Sequence, residues 1–199
     1  MRVIAFGCSF TFGHGLPDCF NPPMSPGNTP SKYAWPSLVA NDLNVKCINN
    51  SLPGSSNKRI WHNIVKFKFK KTDIVFVMWT APDRSCILNS FTDTDIGNWI
   101  DSSSAYYKYY YSPYDSLMMS KLFVSNANTL LTDQGIQIYN LTFDKNQFNL
   151  DNTVNSLPIC MSKLKRKFPL ALDDAHPGIE CHQEMSKQIL DRLRIKNES

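Results

Sequence analysis

Two short stretches hold residue types that could do chemistry together. Gly7-Cys8-Ser9-Phe10-Thr11-Phe12-Gly13 presents a hydroxyl at Ser9, and Asp173-Asp174-Ala175-His176-Pro177-Gly178 presents a carboxylate and an imidazole. A serine hydroxyl is a weak nucleophile at neutral pH. It needs a base to take its proton, and the base needs an acid to orient it. Asp-x-x-His within a turn lets one carboxylate oxygen reach Nδ1 while Nε2 points outward, and Pro177 stiffens the exit. Of the 4 histidines, His62 and His182 fall inside helical patterns, where a surface or core role is the default. His14 lies close enough to Ser9 in sequence to line a pocket. Acyl transfer also needs donors for an oxyanion. The N–H of Ser9 is one, and the N–H of Gly54, in Asn50-Ser51-Leu52-Pro53-Gly54, is a second. Plainer readings stand beside these. Gly-x-Ser occurs in many turns, Gly54 can be an ordinary turn glycine, and Asp174 can merely cap the last helix with His176 exposed.

These residues need elements that bring them together. Arg2 to Phe6 is a short apolar, β-branched run that ends at Gly7, so Ser9 falls at the carboxyl end of a strand, where open α/β sheets bind ligands. Leu16 to Ser31 carries Pro17, Pro22, Pro23, Pro26 and Pro30 and reads as a loop. The spacing predicts an amphipathic helix over Lys32 to Leu43, a strand over Val45 to Ile48 and a helix over Lys58 to Phe69, capped by Ser56 or Asn57. Asp73 to Trp79 is apolar without alternation, as a parallel strand covered on both faces should be. Ser90 to Tyr114 is irregular and rich in tyrosine. It can stack on a sugar or aromatic substrate, form an interaction surface, or pack on the domain's own edge. A helix over Asp115 to Asp133, closed by Gly135, leads to a strand over Ile136 to Leu141. Leu157 to Met161 is a short strand or part of a loop, Ser162 to Lys167 is basic and helical, and Ile179 to Leu193 is a final amphipathic helix. Strand and helix alternate, which predicts a mostly parallel sheet of about five strands between helices with right-handed crossovers. A single domain over 1–199 is expected, with loop insertions near 16–31 and 90–114.

Composition narrows the function classes. Hydrophobic content of 42% and charged content of 19% fit a globular chain, and the net charge is +4. Much of that charge lies in Lys66 to Lys71 and Lys163 to Lys167, which read as solvated helix ends or faces. No nucleic-acid motif accompanies it, so no nucleic-acid partner is expected. The 6 cysteines show no CxxC spacing and no Cys/His cluster, so neither zinc nor another metal is expected. No run of eighteen apolar residues and no basic-then-apolar leader is present, so a cytoplasmic protein with reduced thiols and no membrane partner is expected. Frequent Asn and Lys are compatible with a bacterial or viral origin.

Taken in order, Gly7-Cys8-Ser9-Phe10-Thr11-Phe12-Gly13, then Asn50 to Gly54, then Asp173-Asp174-Ala175-His176-Pro177 resemble the blocks of the SGNH hydrolase superfamily, also called GDSL-like lipases and esterases. Cys8 stands where Asp is common. The resemblance implies a three-layer α/β/α, flavodoxin-like fold. It implies Ser9 as nucleophile, His176 as base, Asp173 as orienting acid, and the N–H groups of Ser9 and Gly54 as oxyanion donors. It implies no cofactor. One departure matters: the family's third block supplies Gly-x-Asn-Asp after the third strand, and this strand ends Met78-Trp79-Thr80-Ala81-Pro82-Asp83-Arg84. Thr80 could donate through its hydroxyl, or Arg84 could reach in. The reading is a serine hydrolase of a small O-acyl ester, carried by a small molecule or glycan. An acyltransferase or thioesterase with the same triad, or a silent binding module on the same fold, are its rivals.

Overall fold

Sheet, helices and loops follow the alternation of the chain. In the computed structural model, which describes residues 1–21, 25–89 and 93–197, the strands of the main sheet are β1 (Arg2–Phe6), β2 (Lys46–Asn49), β3 (Asp73–Trp79), β4 (Gln137–Thr142) and β5 (Ser156–Cys160). The helices are α1 (Ser9–Phe12), α2 (Trp35–Asp42), α3 (Asn57–Lys66), α4 (Ser104–Tyr109), α5 (Pro113–Asp133), α6 (Met161–Lys165) and α7 (Ile179–Asn197). The strands form one 5-stranded sheet in the order β2-β1-β3-β4-β5, every neighbouring pair parallel.

Side chains alternate across the sheet. Val3, Ala5, Phe76 and Met78 pack with Trp35, Val39, Met185 and Ile189 on the α2/α7 face. Ile4, Phe6, Val75 and Val77 pack with Ile60, Ile64, Phe123 and Leu131 on the α3/α5 face. Both faces of β1 and β3 are thus covered, which explains their unbroken apolar runs. At the other end of the sheet, Arg2 joins β1 to β3 through a two-armed ion pair with Asp73, at 2.8 and 2.6 Å.

Expected elements differ from observed ones mostly at their ends. The helix expected from Lys32 starts at Trp35, with Pro36 in its first turn. The helix expected to Phe69 stops at Lys66, because Phe67 and Phe69 turn back onto Phe6, ring centroids 5.7 and 6.0 Å away. Ser56 is its N-cap, accepting from Arg59 N at 3.2 Å. Of the 157–161 segment, residues 157–160 lie in β5 and Met161 opens α6. The stretch expected to be irregular from Ser90 contributes Thr94–Ile96 to a short antiparallel ribbon with the preceding Ser85–Ile87, and then α4. Pro22, Pro23 and Ser90 lie outside the described residues. Of the tyrosines, Tyr107 packs on Tyr106 and Tyr111 and donates to Asp83 O at 2.7 Å, while Tyr109, Tyr110 and Tyr114 are exposed. All six cysteines carry free thiols. Among the described residues no helix is long and apolar enough to cross a membrane.

The strand order decides where a site can form. From β1 the chain crosses to β2 on one side, and from β2 it returns to β3 on the other. The gap beyond the carboxyl ends of β1 and β3 is the topological switch point, where doubly wound sheets bind ligands. Ser9 follows β1, Gly54 follows β2, and Thr80 and Arg84 follow β3.

Candidate active site

Ser9 opens α1, immediately beyond β1, and is 7% exposed. The turn needs Gly7 for room: a Cβ there would lie 2.2 Å from Thr11 Oγ1 and 3.3 Å from Met78 O. The loop after β2 is laced to this turn. Asn50 N donates to Ala5 O at 2.8 Å, Leu52 N to Gly7 O at 3.3 Å, and Asn49 Nδ2 to Thr11 O at 2.7 Å. That lacing carries Gly54 (φ 79°) to the same end of the sheet as Ser9. A Cβ on Gly54 would come within 3.8 Å of both Asp95 Oδ2 and Trp99 Cζ2, so the ribbon beyond β3 walls this side.

Asp173 and His176 form the pair that their spacing predicts. Asp173 Oδ2 bonds His176 Nδ1 at 2.5 Å, and Asp173 Oδ1 accepts from the backbone N–H of Ala175 at 3.0 Å and of His176 at 2.9 Å. Burial alone would push Asp173 up. The two N–H donors and the imidazole outweigh it and hold the carboxyl below its usual range. For His176 burial is the larger effect and favours the neutral ring, with Asp173 pulling the other way; the net shift is downward. A neutral imidazole oriented by a carboxylate is a base ready to accept a proton.

The Ser9 turn and this loop meet side by side. The Phe10 ring stands edge-on to the His176 ring at 5.5 Å. His14 stacks on His176 at 4.3 Å and 19°, with its Nε2 3.9 Å from Asp173 Oδ2. Leu172 N donates to Gly15 O at 3.0 Å, and Gly15 (φ 83°) lies so close that a Cβ would fall 2.7 Å from Asp173 Cγ. Nδ1 of His176 is committed to Asp173, and no hydrogen bond joins Ser9 Oγ to His176 among the described residues. Such bonds are often long before substrate binds and tighten with it. His14, expected to line the pocket, stacks on the His176 ring of the Asp173–His176 pair.

After β3, Thr80 is 1% exposed, and its Oγ1 is buried without a hydrogen-bond partner. Its peptide is clasped by Asn57, which accepts from Thr80 N at 2.8 Å and donates to Thr80 O at 3.0 Å and Ser120 Oγ at 3.0 Å. An asparagine therefore does stand at the end of β3, supplied by α3, but its amide is spent on the Thr80 backbone and the Ser120 hydroxyl. Arg84 lies over the Trp99 ring, 4.7 Å from its centroid. Arg59 holds Asp95 at 3.2 Å. The sequence offered no signal for the Asn57 clasp, because Asn57 sits in a turn cluster where capping is the natural reading. The closeness of Gly15 to Asp173 left none either.

His14, Asp173 and His176 each offer a ligand atom within 4.8 Å of one another, a donor set of the kind that can hold a transition metal. In this arrangement Asp173 Oδ2 already bonds His176 Nδ1, and the cluster reads first as an acid–base pair with a stacked neighbour.

The fold is that of the SGNH, or G-D-S-L, hydrolases. No protein-family model and no curated protein sequence matches the chain. Solved structures do. A member of the lipolytic protein G-D-S-L family from Veillonella parvula DSM 2008 aligns with TM-score 0.53 at 13% identity, over 96% of each chain. The psychrotrophic esterase EstA from Pseudoalteromonas sp., inhibited by monoethylphosphonate, aligns with TM-score 0.56 at 8% identity, over 100% of this chain and 99% of that one. An acetyl xylan esterase, Est2A, from the rumen bacterium Butyrivibrio proteoclasticus aligns with TM-score 0.57 at 14% identity, over 99% of this chain and 64% of that one.

Proposed function

We propose that the chain is a serine esterase. Ser9 Oγ attacks the acyl carbon of an ester while His176 Nε2 takes its proton and Asp173 steadies the imidazolium. The oxyanion is met by the N–H groups of Ser9 and Gly54, with the unpartnered hydroxyl of Thr80 as a third donor in place of the missing asparagine. The alcohol leaves with the proton from His176, and water releases the acyl group by the same route. The observation that carries this reading is the Asp173–His176 pair pressed against the Ser9 turn through Phe10, His14 and Gly15.

A polar, hydroxylated substrate suits the wall beside Gly54. Trp99 is 50% exposed there with Arg84 against it. Asp95 Oδ1 and Asp83 Oδ1 are buried with no hydrogen-bond partner, so hydroxyl donors would be welcome. The acetyl xylan esterase among the structural relatives supports an O-acyl glycan ester as substrate.

The test uses a chromogenic acetyl ester and a fluorophosphonate probe on the wild-type protein and Ser9→Ala. Turnover and labelling that both vanish in Ser9→Ala support the esterase. A wild-type protein that neither turns over ester nor labels at Ser9 leaves a binding module on the same fold. Transfer of the acetyl group to an added alcohol or amine in preference to water would make it an acyltransferase.

A further inference from the structure

A cavity of about 400 Å³ lies one aromatic ring away from His176, lined by Phe10, Phe143, Ser162, Lys165, Arg166 and Leu170. Its floor is apolar: Phe10 and Phe143 pack edge to face at 5.0 Å. Its rim is cationic. Lys165 Nζ lies 5.6 Å from the Phe10 ring centroid and donates to Ala175 O, the carbonyl preceding His176. Arg166 is exposed beside it. Across α6 a second recess, of about 280 Å³, is lined by Lys145, Lys163 and Lys167 among others. No carboxylate lines either recess, and neither Lys165 nor Arg166 has a carboxylate partner among the described residues. The run Lys163 to Lys167, read from sequence as a solvated face, is here the edge of a cavity at the active site.

We propose that this cavity receives an anionic group, carboxylate or phosphate, on the alcohol portion of the ester. The inference rests on the esterase reading above. Two observations give it direction. The leaving oxygen must face His176, which protonates it, so the alcohol lies on His176's side of the acyl carbon. The cavity also belongs to the β4–β5 end of the sheet, whereas Gly54 follows β2 at the opposite edge. An apolar ring or chain on Phe10, Phe143 and Leu170 with its charge at Lys165 and Arg166 satisfies both floor and rim. An unpaired cation next to a partly dry surface attracts an anion more strongly than one in open water.

Matched esters provide the test: 4-acetoxybenzoate, its neutral methyl ester, and 4-acetoxyphenyl phosphate. The wild-type protein should favour a charged ester over the neutral one by roughly tenfold in kcat/KM, consistent with two close cations, and 0.5 M salt should erase the preference. Arg166→Glu alters an exposed side chain, so folding should survive. It should cut kcat/KM for the charged esters by about tenfold or more and leave the neutral ester within about twofold. The better of the two charged esters identifies the anion. Equal turnover of charged and neutral esters, or an equal loss of both in Arg166→Glu, overturns the proposal. Calorimetric titration with 4-hydroxybenzoate and 4-hydroxyphenyl phosphate needs no turnover. Binding lost in Arg166→Glu supports the cavity even where the esterase reading has failed; no binding to the wild-type protein overturns it.

Discussion

At the scale of single residues, the pairing of His176 with Asp173 sets the pH range of the chemistry proposed above. The proposed reaction needs the neutral imidazole. Burial lowers the pKa of His176 more than Asp173 restores it, so base activity should persist below the ordinary histidine value of about 6.5. The acid limb of kcat/KM should then fall below that value, and a limb at or above it would contradict the assignment. Asp173, His14 and Lys165 are the titratable neighbours that act on this ring, and the ring in turn acts on the buried His182. Positive charge on His14 or Lys165 pushes it further down. His14→Phe keeps an aromatic ring against His176 but removes the charge, so the acid limb should move to higher pH. Asp173→Asn should leave the fold intact yet cost on the order of 10²–10⁴ in kcat, because the imidazole loses its orienting acceptor. Steady-state rates of both variants across pH 4–9 check these outcomes.

At the scale of elements, the site depends on contacts that tie loops together. Asn57→Ala would strip hydrogen bonds from the buried Thr80 N–H and C=O together. Each unsatisfied group costs about 1–3 kcal/mol, so urea unfolding should show a loss of roughly 2–4 kcal/mol. Asn57→Asp retains the acceptor for Thr80 N but loses the donor, and should fall between. Gly15→Ala should preserve most of the stability and damage activity more, because its Cβ would strike the Asp173 carboxyl. These ties mark the limit of what the amino-acid pattern reveals. β1 and β3 were legible because strands covered on both faces are written as continuous apolar runs. Asp173 and His176 were legible because local spacing alone lets them bond. Asn57, Gly15 and the stacking of His14 were not, since their partners Thr80, Asp173 and His176 are remote in sequence and no periodicity marks such meetings. The end of α3 was misplaced for a similar reason: Phe67 and Phe69 continue an apolar pattern but leave the helix to cover Phe6.

At the scale of the whole molecule, one buried histidine makes stability depend on pH. His182 is fully buried on α7, with its Nδ1 accepting from Trp35 N at 3.2 Å. Burial pushes its pKa down to about 3. The folded-state value lies below the unfolded value of about 6.5, so between the two the unfolded chain holds the extra proton. Stability from this group is therefore intact above about pH 6.5 and falls as pH drops toward 3, by up to about 1.4 kcal/mol per pH unit. Asp73 and Asp173, both held below the carboxylate range, add losses of the same sign at lower pH. Urea midpoints between pH 7 and pH 4 should fall steadily in the wild-type protein and more gently in His182→Gln.

The backbone bond from Leu172 N to Gly15 O has a consequence in time rather than in space. It joins segments far apart in the sequence, and the proposed nucleophile and its proposed base stand on either side of that seam. During synthesis Ser9 emerges before Asp173 and waits while the four further strands of the sheet and most of the helices are made. Closing so long a loop is entropically costly and comes late in folding. A nascent chain that stops short of Asp173 has its serine in place and nothing to activate it. On the proposed mechanism, reactivity at Ser9 would thus announce that the chain has been made and folded through α7. A fluorophosphonate probe applied to ribosome-bound chains of increasing length should label none until the Asp173–His176 loop and the helix behind it have emerged.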